Sequence, residues 1–272
     1  MIQIYFLLTK NINSDLELLF DWLCANRLSL NVGKTEFVIF RPARSKRSDR
    51  VTLKLNNTTL FESSKIKYLG LILDPNLRFN HHIFELEKKL NRGVGLLYKL
   101  RRLKCNTQIL KTIYFSLFQS HASYGLSSWG TSNQYLETVF KIQKRAIRAI
   151  AGLDFQESTT DSFRDLCILK ISDLFLVQYA SLMWDYDHDS LPNAFKGFFT
   201  KISDVHSYRT RAASANKLAK TINIKTKVHG SKLFKVQGIE IFNELKNLDF
   251  YGTSRTKHSF ISQFKKYLID KY

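Results

Sequence analysis

Apolar residues recur along this chain with two periods, and the change from one to the other marks its organisation. Leu16, Leu19, Phe20 and Leu23 fall at i, i+3, i+4 and i+7, the spacing of one buried helical stripe, with Ser14 and Glu17 set as a capping box and Asn26 as a stop. The period then becomes two. Phe37, Ile39, Val51, Leu53 and Leu55 alternate with their neighbours, Asn56-Asn57 supplies residues tolerant of positive φ, and Leu60, Ile66, Tyr68 and Ile72 continue the alternation. The pattern predicts a helix and a small antiparallel sheet. Lys34 then sits where helix gives way to strand, and Gly70 lies inside a strand, where glycine often marks a close approach of backbone or ligand. After Pro75-Asn76 the helical period returns in Ile83, Leu86, Leu90, Val94, Leu97 and Leu100. Further helices are predicted over 108–119, over 134–150 with Leu136, Val139, Phe140, Ile147 and Ile150 buried, over 172–186, and over 233–248 and 257–267. Residues 200–229 are poor in large apolar side chains and rich in Lys, Arg, Ser and Thr, which predicts a mobile or partner-ordered linker. The fold class is therefore α+β. The chain divides into three regions: residues 1–76 with the sheet, 77–190 helical, and 191–272 basic with terminal helices.

Charge changes this picture most. Forty-two Lys and Arg against 23 Asp and Glu give +19, so a polyanion is the expected partner. No apolar run approaches the roughly 20 residues of a membrane-spanning helix. The apolar stretch at 4–8 is too short for a secretion signal and lacks its basic flank, so no membrane partner is expected. The basic residues are also grouped. Lys141, Lys144, Arg145 and Arg148 fall at i, i+3, i+4 and i+7 on one face of the 134–150 helix, away from its apolar stripe. Like charges so spaced repel by roughly a few tenths of a kcal/mol per pair unless an anion neutralises them, and a phosphate backbone does so with release of counterions. Lys88, Lys89, Arg92, Lys99, Arg101, Arg102 and Lys104 add a second basic track, and residues 196–235 carry ten Lys or Arg against one acid, Asp204. For any one lysine a solvated face is the simpler reading. For the whole pattern nucleic acid is favoured, because the acids that usually intersperse such a face are missing.

Other chemistry is thin. Cys24, Cys105 and Cys167 have no metal or redox spacing and read as reduced, buried thiols. Asp185-x-Asp187-x-Asp189 alternates like a calcium loop, but Ser190 and Lys196 stand where its glycine and glutamate belong, so a helix end with solvated acids is expected. His81-His82 has no further ligands in place and reads as a surface turn, and Gly93-Val-Gly95 lacks the rest of a phosphate loop. No metal site is expected. Phe115, Phe118, Phe140 and Phe175 read as core, while Tyr208, among basic residues, is a candidate for stacking on a base.

Several short motifs, taken in order, are more specific than any one alone. Trp22-x-x-x-Asn26-x-Leu28-x-Leu30-Asn31-x-x-Lys34-Thr35-x-x-x-x-Phe40 is followed by Lys67-Tyr68-Leu69-Gly70-x-x-x-Asp74 and Asn80-His81-His82-Ile83. Then come Tyr114, Ser116, Tyr124-Gly125, Trp129-Gly130, Gln143-Lys144-Arg145-Ala146 with Arg148 and Ile150, and His206-x-Tyr208-x-Thr210-Arg211. Over nearly the whole chain this order resembles the reverse transcriptases of non-LTR retrotransposons of the jockey type. The resemblance implies the end of a polymerase palm, a thumb and a C-terminal region. It makes Lys34 the candidate fourth-motif lysine that protonates leaving pyrophosphate, and Tyr68, Leu69 and Gly70 the primer grip. The bland alternatives are a helix-terminal lysine complementing a dipole and an ordinary buried strand. RNA and DNA, as a template-primer duplex, are the implied partners, and nucleus or cytoplasm the implied compartment.

Two departures matter. The family's aromatic-x-Asp-Asp motif, whose aspartates hold the catalytic Mg2+ ions, is absent, and residues 1–8 look like the segment just C-terminal to that motif in the family. Phe242-Asn243-Glu244-Leu245-Lys246 stands where the family tends to have Trp-Asn-x-Leu-Pro. Two-metal phosphoryl transfer needs clustered carboxylates, and Asp21, Glu36, Asp49, Glu62 and Asp74 are isolated. The expectation is a truncated polymerase that retains nucleic-acid-binding elements, needs no cofactor of its own and does not polymerise alone, with aromatic-x-Asp-Asp encoded upstream of Met1. The alternatives are a non-enzymatic, element-derived nucleic-acid-binding protein with a genuine start at Met1, and an unstable polypeptide.

Overall fold

The computed structural model describes residues 12–41, 51–56, 58–195, 197–205, 208, 216–219 and 234–272, the side chain of Phe234 aside. The basic loop at 42–50, the apolar stretch at 4–8 and most of the linker at 200–229 lie outside the described residues. The rest divides after Glu85 into two compact units.

In the first unit α1 (Ile12–Ala25) begins before the predicted capping box, so Ser14 already lies in its first turn. Asn13 does the tethering instead. Its Oδ1 accepts from the Lys54 N–H at 3.0 Å and its Nδ2 donates to the Thr52 carbonyl at 3.4 Å. The predicted stripe faces the core, with Leu16 and Leu23 buried and Leu19 and Phe20 half-buried. Among the described residues six short strands come next: β1 (Glu36–Phe37), β2 (Lys54–Leu55), β3 (Thr58–Thr59), β4 (Phe61–Glu62), β5 (Ile66–Tyr68) and β6 (Leu71–Leu73). β2–β3 and β5–β6 are antiparallel, but β1 pairs with β4 in parallel, Glu36 opposite Phe61. Period-two alternation does not encode strand direction, and the chain between β1 and β4 is long enough for the crossover that a parallel pair requires. Leu16, Leu55 and Leu60 form the core of this unit, flanked by Ile12, Phe20, Leu30, Val32, Phe37 and Leu53.

α2 (Asn80–Arg102) begins in the first unit and continues through the second. Asp74 prepares its entry, accepting from the backbone N–H groups of Asn76, Arg78 and Phe79 at 3.0 to 3.2 Å. His81 and His82 therefore stand in the first helical turn rather than in a surface turn, and His82 is buried. α3 (Thr107–Ile113) runs through a π-helical turn, Tyr114–Gln119, into α4 (Ser120–Ser123), where a single α-helix was the expectation. Within that turn Tyr114 and Phe118 both enter the core and stack at 5.2 Å. α5 (Leu126–Trp129), α6 (Asn133–Ala151) and α7 (Thr160–Asp165) lead to α8 (Ile171–Asp187). α8 buries Leu174, Phe175, Val177, Tyr179, Ala180, Met183 and Trp184, which occupy most of its circumference. A helix apolar all round has to be surrounded. α4, α5 and α6 pack on it; after α9 (Ile202–Val205), α10 (Phe234–Leu245) and α12 (Lys257–Ile269) do so too, with α11 (Asp249–Thr253) between those two in the chain. The α+β class is what the structure shows.

Three sequence expectations for side chains are corrected. Asp185 pairs with Lys257, and Asp187 with Lys246 at 2.7 Å and the Tyr251 hydroxyl at 3.1 Å, so two of the three alternating acids tie helices together rather than being solvated. Cys24 and Cys167 are exposed, one on the outer side of α1 and one in the turn closing α7. Phe115 is 40% exposed, because the π-helical turn rotates it away from the core that Tyr114 and Phe118 fill.

Candidate nucleic-acid interface

The marked residues of the first unit stand on turns. Asn31 caps the 3-10 turn Val32–Lys34 by accepting the Lys34 N–H at 3.2 Å, and the Lys34 side chain is exposed. α1 ends far earlier, at Ala25, so complementing its dipole does not account for Lys34. Tyr68 closes the β5–β6 ladder opposite Leu71, and the loop between them has φ 42 at Leu69 and φ 88 at Gly70. Two successive positive φ values make a type I′ hairpin turn. Gly70 is thus in a turn and not inside a strand: its freedom at φ serves chain reversal. Leu69, 64% exposed, forms the apolar tip.

The second unit presents the basic residues on long helices. α6 buries Val139, Ile142, Gln143, Ala146, Ile147, Ala149 and Ile150, which directs Lys141, Lys144, Arg145 and Arg148 to the opposite side. Among the described residues none of the four has a carboxylate partner. They differ in what they touch. Lys141 and Arg145 are exposed, Arg145 donating to Asn91 Oδ1 on α2 at 2.9 Å. Lys144 lies 5.1 Å from the Phe140 ring centroid, and Arg148 donates through Nε and an Nη to the Glu157 carbonyl at 3.1 and 2.9 Å. Lys144 and Arg148 line a cleft of about 450 Å³ with Lys170, Phe140, Phe163 and the 156–160 segment. Lys170 is fixed there by Tyr272, whose ring lies 3.8 Å from its Nζ and whose hydroxyl accepts its backbone N–H at 2.8 Å. That hydroxyl donates to Asp173, and burial holds the Asp173 carboxyl above its usual range against the opposing pull of the Tyr272 bond and Lys170.

Gln143, one of the motif residues, faces the other way. Its Nε2 donates to the Tyr114 hydroxyl at 2.8 Å and to the Leu169 carbonyl at 2.9 Å, and its Oε1 accepts the Ile171 N–H at 2.9 Å. One side chain thereby ties the π-helical turn, α6 and the start of α8, which fixes the rotation of the basic face. Burial raises the Tyr114 phenol well above its usual range, so it stays neutral in this network.

All seven residues of the α2 track are exposed. Lys88, Arg92, Lys99 and Arg102 share a face by their spacing, and Lys89 is displaced from it. Arg101 turns to the end of α6, donating to the Ile150 carbonyl at 3.4 Å. There Gly152 closes α6 at φ 76, and a Cβ at this position would lie 1.7 Å from an Arg101 Nη. Lys104, at φ 56, closes α2. Tyr208 is 77% exposed, while its neighbours 206, 207 and 209–211 lie outside the described residues. Sequence reasoning missed Asn91, Lys170 and Phe155; for Phe155, a lone aromatic in an otherwise polar loop after α6 was the available signal.

Among the described residues no group of three His, Cys, Asp or Glu side chains could hold a metal ion, and Asp74 and Glu62 are engaged in a turn and with Arg41. The described carboxylates do not fit the pair of Mg2+ ions that the resemblance implies. No described helix is long and apolar enough to cross a membrane.

No family model and no solved structure matches the chain. Curated relatives do. The sequence is 25% identical over 156 residues to a probable RNA-directed DNA polymerase from transposon X-element of Drosophila melanogaster, covering 56% of this chain and 17% of the relative. It is 27% identical over 158 residues, again 56% and 17%, to the RNA-directed DNA polymerase from mobile element jockey of Drosophila funebris. Its Drosophila melanogaster counterpart is 28% identical over 126 residues, 44% of this chain and 14% of the relative. The aligned part thus spans about a sixth of these relatives' length, and the chain is related to jockey-like RNA-directed DNA polymerases over about half of its own.

Proposed function

We propose that this relative of the jockey-like polymerases holds a template-primer duplex of RNA and DNA and does not itself transfer phosphoryl groups. The observation that carries the reading is the α6 face, where four cations stand without carboxylate partners among the described residues on a helix whose rotation is fixed by Gln143. Unneutralised positive charge on a rigid surface favours a phosphate backbone, which it binds with release of counterions. The exposed Lys88, Arg92, Lys99 and Arg102 of α2 extend the positive surface within the same unit. In the first unit Lys34, matching the fourth-motif lysine, and Tyr68, Leu69 and Gly70, matching the primer grip, form the rim of an active site whose catalytic carboxylates are not among the residues of this chain, and Leu69 is the exposed tip. The reading without turnover rests on the sequence, in which Asp21, Glu36, Asp49, Glu62 and Asp74 are isolated whereas two-metal transfer needs clustered carboxylates.

Binding of an RNA–DNA hybrid measured against salt tests the reading. Affinity is expected to fall steeply with salt, and Lys141→Glu with Lys144→Glu to lower the slope by about two. This pair leaves untouched the Arg145 and Arg148 hydrogen bonds, so the fold is preserved. An unchanged slope would remove α6 from the interface. Nucleotide incorporation by the chain alone on a primed template would overturn the second half of the proposal.

A further inference from the structure

Beside the basic face of α6 lies an exposed aromatic ring that duplex binding does not use. The loop after α6 turns back, so that Glu157 presents its carbonyl to Arg148 and the Phe155 ring lies 5.9 Å from the Arg148 guanidinium. Phe155 is 78% exposed, among the most exposed large apolar side chains described. It directly precedes Gln156, which lines the cleft that gathers Lys144, Arg148 and Lys170, and it shares Arg148 with that cleft. Arg148 gives two of its five N–H donors to Glu157, which leaves others for a ligand. The Ser158 hydroxyl donates to Thr160 Oγ1 at 3.2 Å, which leaves the Thr160 hydroxyl as a further donor in the lining, and Glu157 is the one acid among the lining residues. An exposed aromatic ring next to fixed cations is the pairing that binds an unstacked base and its phosphate. A duplex offers the phosphate but keeps its bases stacked.

Resting on the nucleic-acid reading above, we propose that this cleft, which shares Lys144 and Arg148 with the duplex face, also takes single-stranded nucleic acid, a backbone phosphate lying among Lys144, Arg148 and Lys170 while the adjoining base stacks on Phe155. The ligand is a strand unpaired over a few nucleotides, such as the overhang beyond a hybrid. RNA and DNA share this chemistry.

Fluorescence anisotropy of the full chain tests it with three labelled probes of about 12 nucleotides: oligo(U), oligo(dT) and a blunt RNA–DNA hybrid. Phe155→Ala is expected to weaken both single strands by roughly tenfold while leaving hybrid affinity unchanged. Phe155→Trp restores binding, and its emission is quenched by the strand. Lys170→Gln lowers the single-strand salt slope by about 0.7. Equal binding of oligo(U) and oligo(dT) identifies phosphate and base alone as the determinants, and a preference names the strand. Wild-type chain that binds the hybrid but no single strand, or Phe155→Ala that binds single strands as tightly as wild type, overturns the inference and leaves the duplex reading standing. So does a Phe155→Ala variant that loses hybrid and single strand in the same proportion, since the ring would then belong to the duplex surface. Failure of the wild-type chain to bind any probe overturns both.

Discussion

The two units carry their marked residues on different kinds of backbone. In the first, Lys34 and Tyr68–Gly70 stand on turns joined to strands of two or three residues, over a core centred on Leu16, Leu55 and Leu60. In the second, the basic residues stand on α2 and α6, over a core that includes fully buried Trp129, Tyr114, Phe118 and Leu90. Two-stranded ladders are marginal by themselves, whereas a helix packed along its length holds a charged face in a fixed orientation. The second unit therefore presents a preformed charged surface. The first presents groups whose placement depends on individual turn residues.

The two units differ most strongly in their cores. Trp129→Ala is expected to cost about 3 to 5 kcal/mol, and Leu55→Ala, in a thin core that collapses more readily, about 2. Amide hydrogen exchange should show the tryptophan change opening α8 and leaving β2–β3 protection as it was; equal loss in both would refute independent cores. Next comes Gly152→Ala, expected to cost about 2 kcal/mol from positive φ and the Arg101 clash. A double-mutant cycle with Arg101→Ala in urea should return a coupling of about 1 kcal/mol, and simple additivity would contradict the contact.

Tyr114→Phe is expected to cost about 1 to 2 kcal/mol, because it leaves a buried Gln143 N–H without its acceptor. The same network gives the second unit an alkaline limit. Burial raises the Tyr114 phenol above its ordinary value of 10.0 and pushes Tyr179 up to about 12. The unfolded chain then loses these protons first, so their contribution is fully present below pH 10 and is lost as pH rises through the folded values. Urea midpoints read from α8 should fall steadily from pH 10 upward. The smallest effect belongs to the first unit. Leu69→Asn relieves an αL leucine and should add about 0.5 to 1 kcal/mol to hairpin stability, read by exchange at Tyr68 and Leu71.

The apolar stripes of α1, α2 and α6 were legible because a period of 3.6 is written in consecutive residues. So was the direction of the α6 cations, which is set by the stripe opposite. Helix ends were not legible. Arg27, Lys104, Cys167 and Asp189 each take the left-handed closing position that usually signals itself as glycine. Their N–H groups return to carbonyls three residues back, so each turn closes with no glycine to announce it. β1–β4 pairing was hidden because side-chain alternation is the same in parallel and antiparallel strands. The cleft was hidden for another reason: it exists only once the loop after α6 folds back onto Arg148, a contact between segments with no shared period.

The Arg101–Gly152 contact also bears on how this sequence can diverge. A guanidinium from α2 occupies the space where a Cβ of residue 152 would stand, so the two positions form one unit of change. A chain that keeps arginine at 101 accepts a Cβ at 152 only if the exposed guanidinium swings aside, and φ 76 favours glycine there whatever stands at 101. A shorter side chain at 101 removes only the first of these two costs, which predicts that relatives with a side chain at 152 lack arginine at 101 more often than those with glycine.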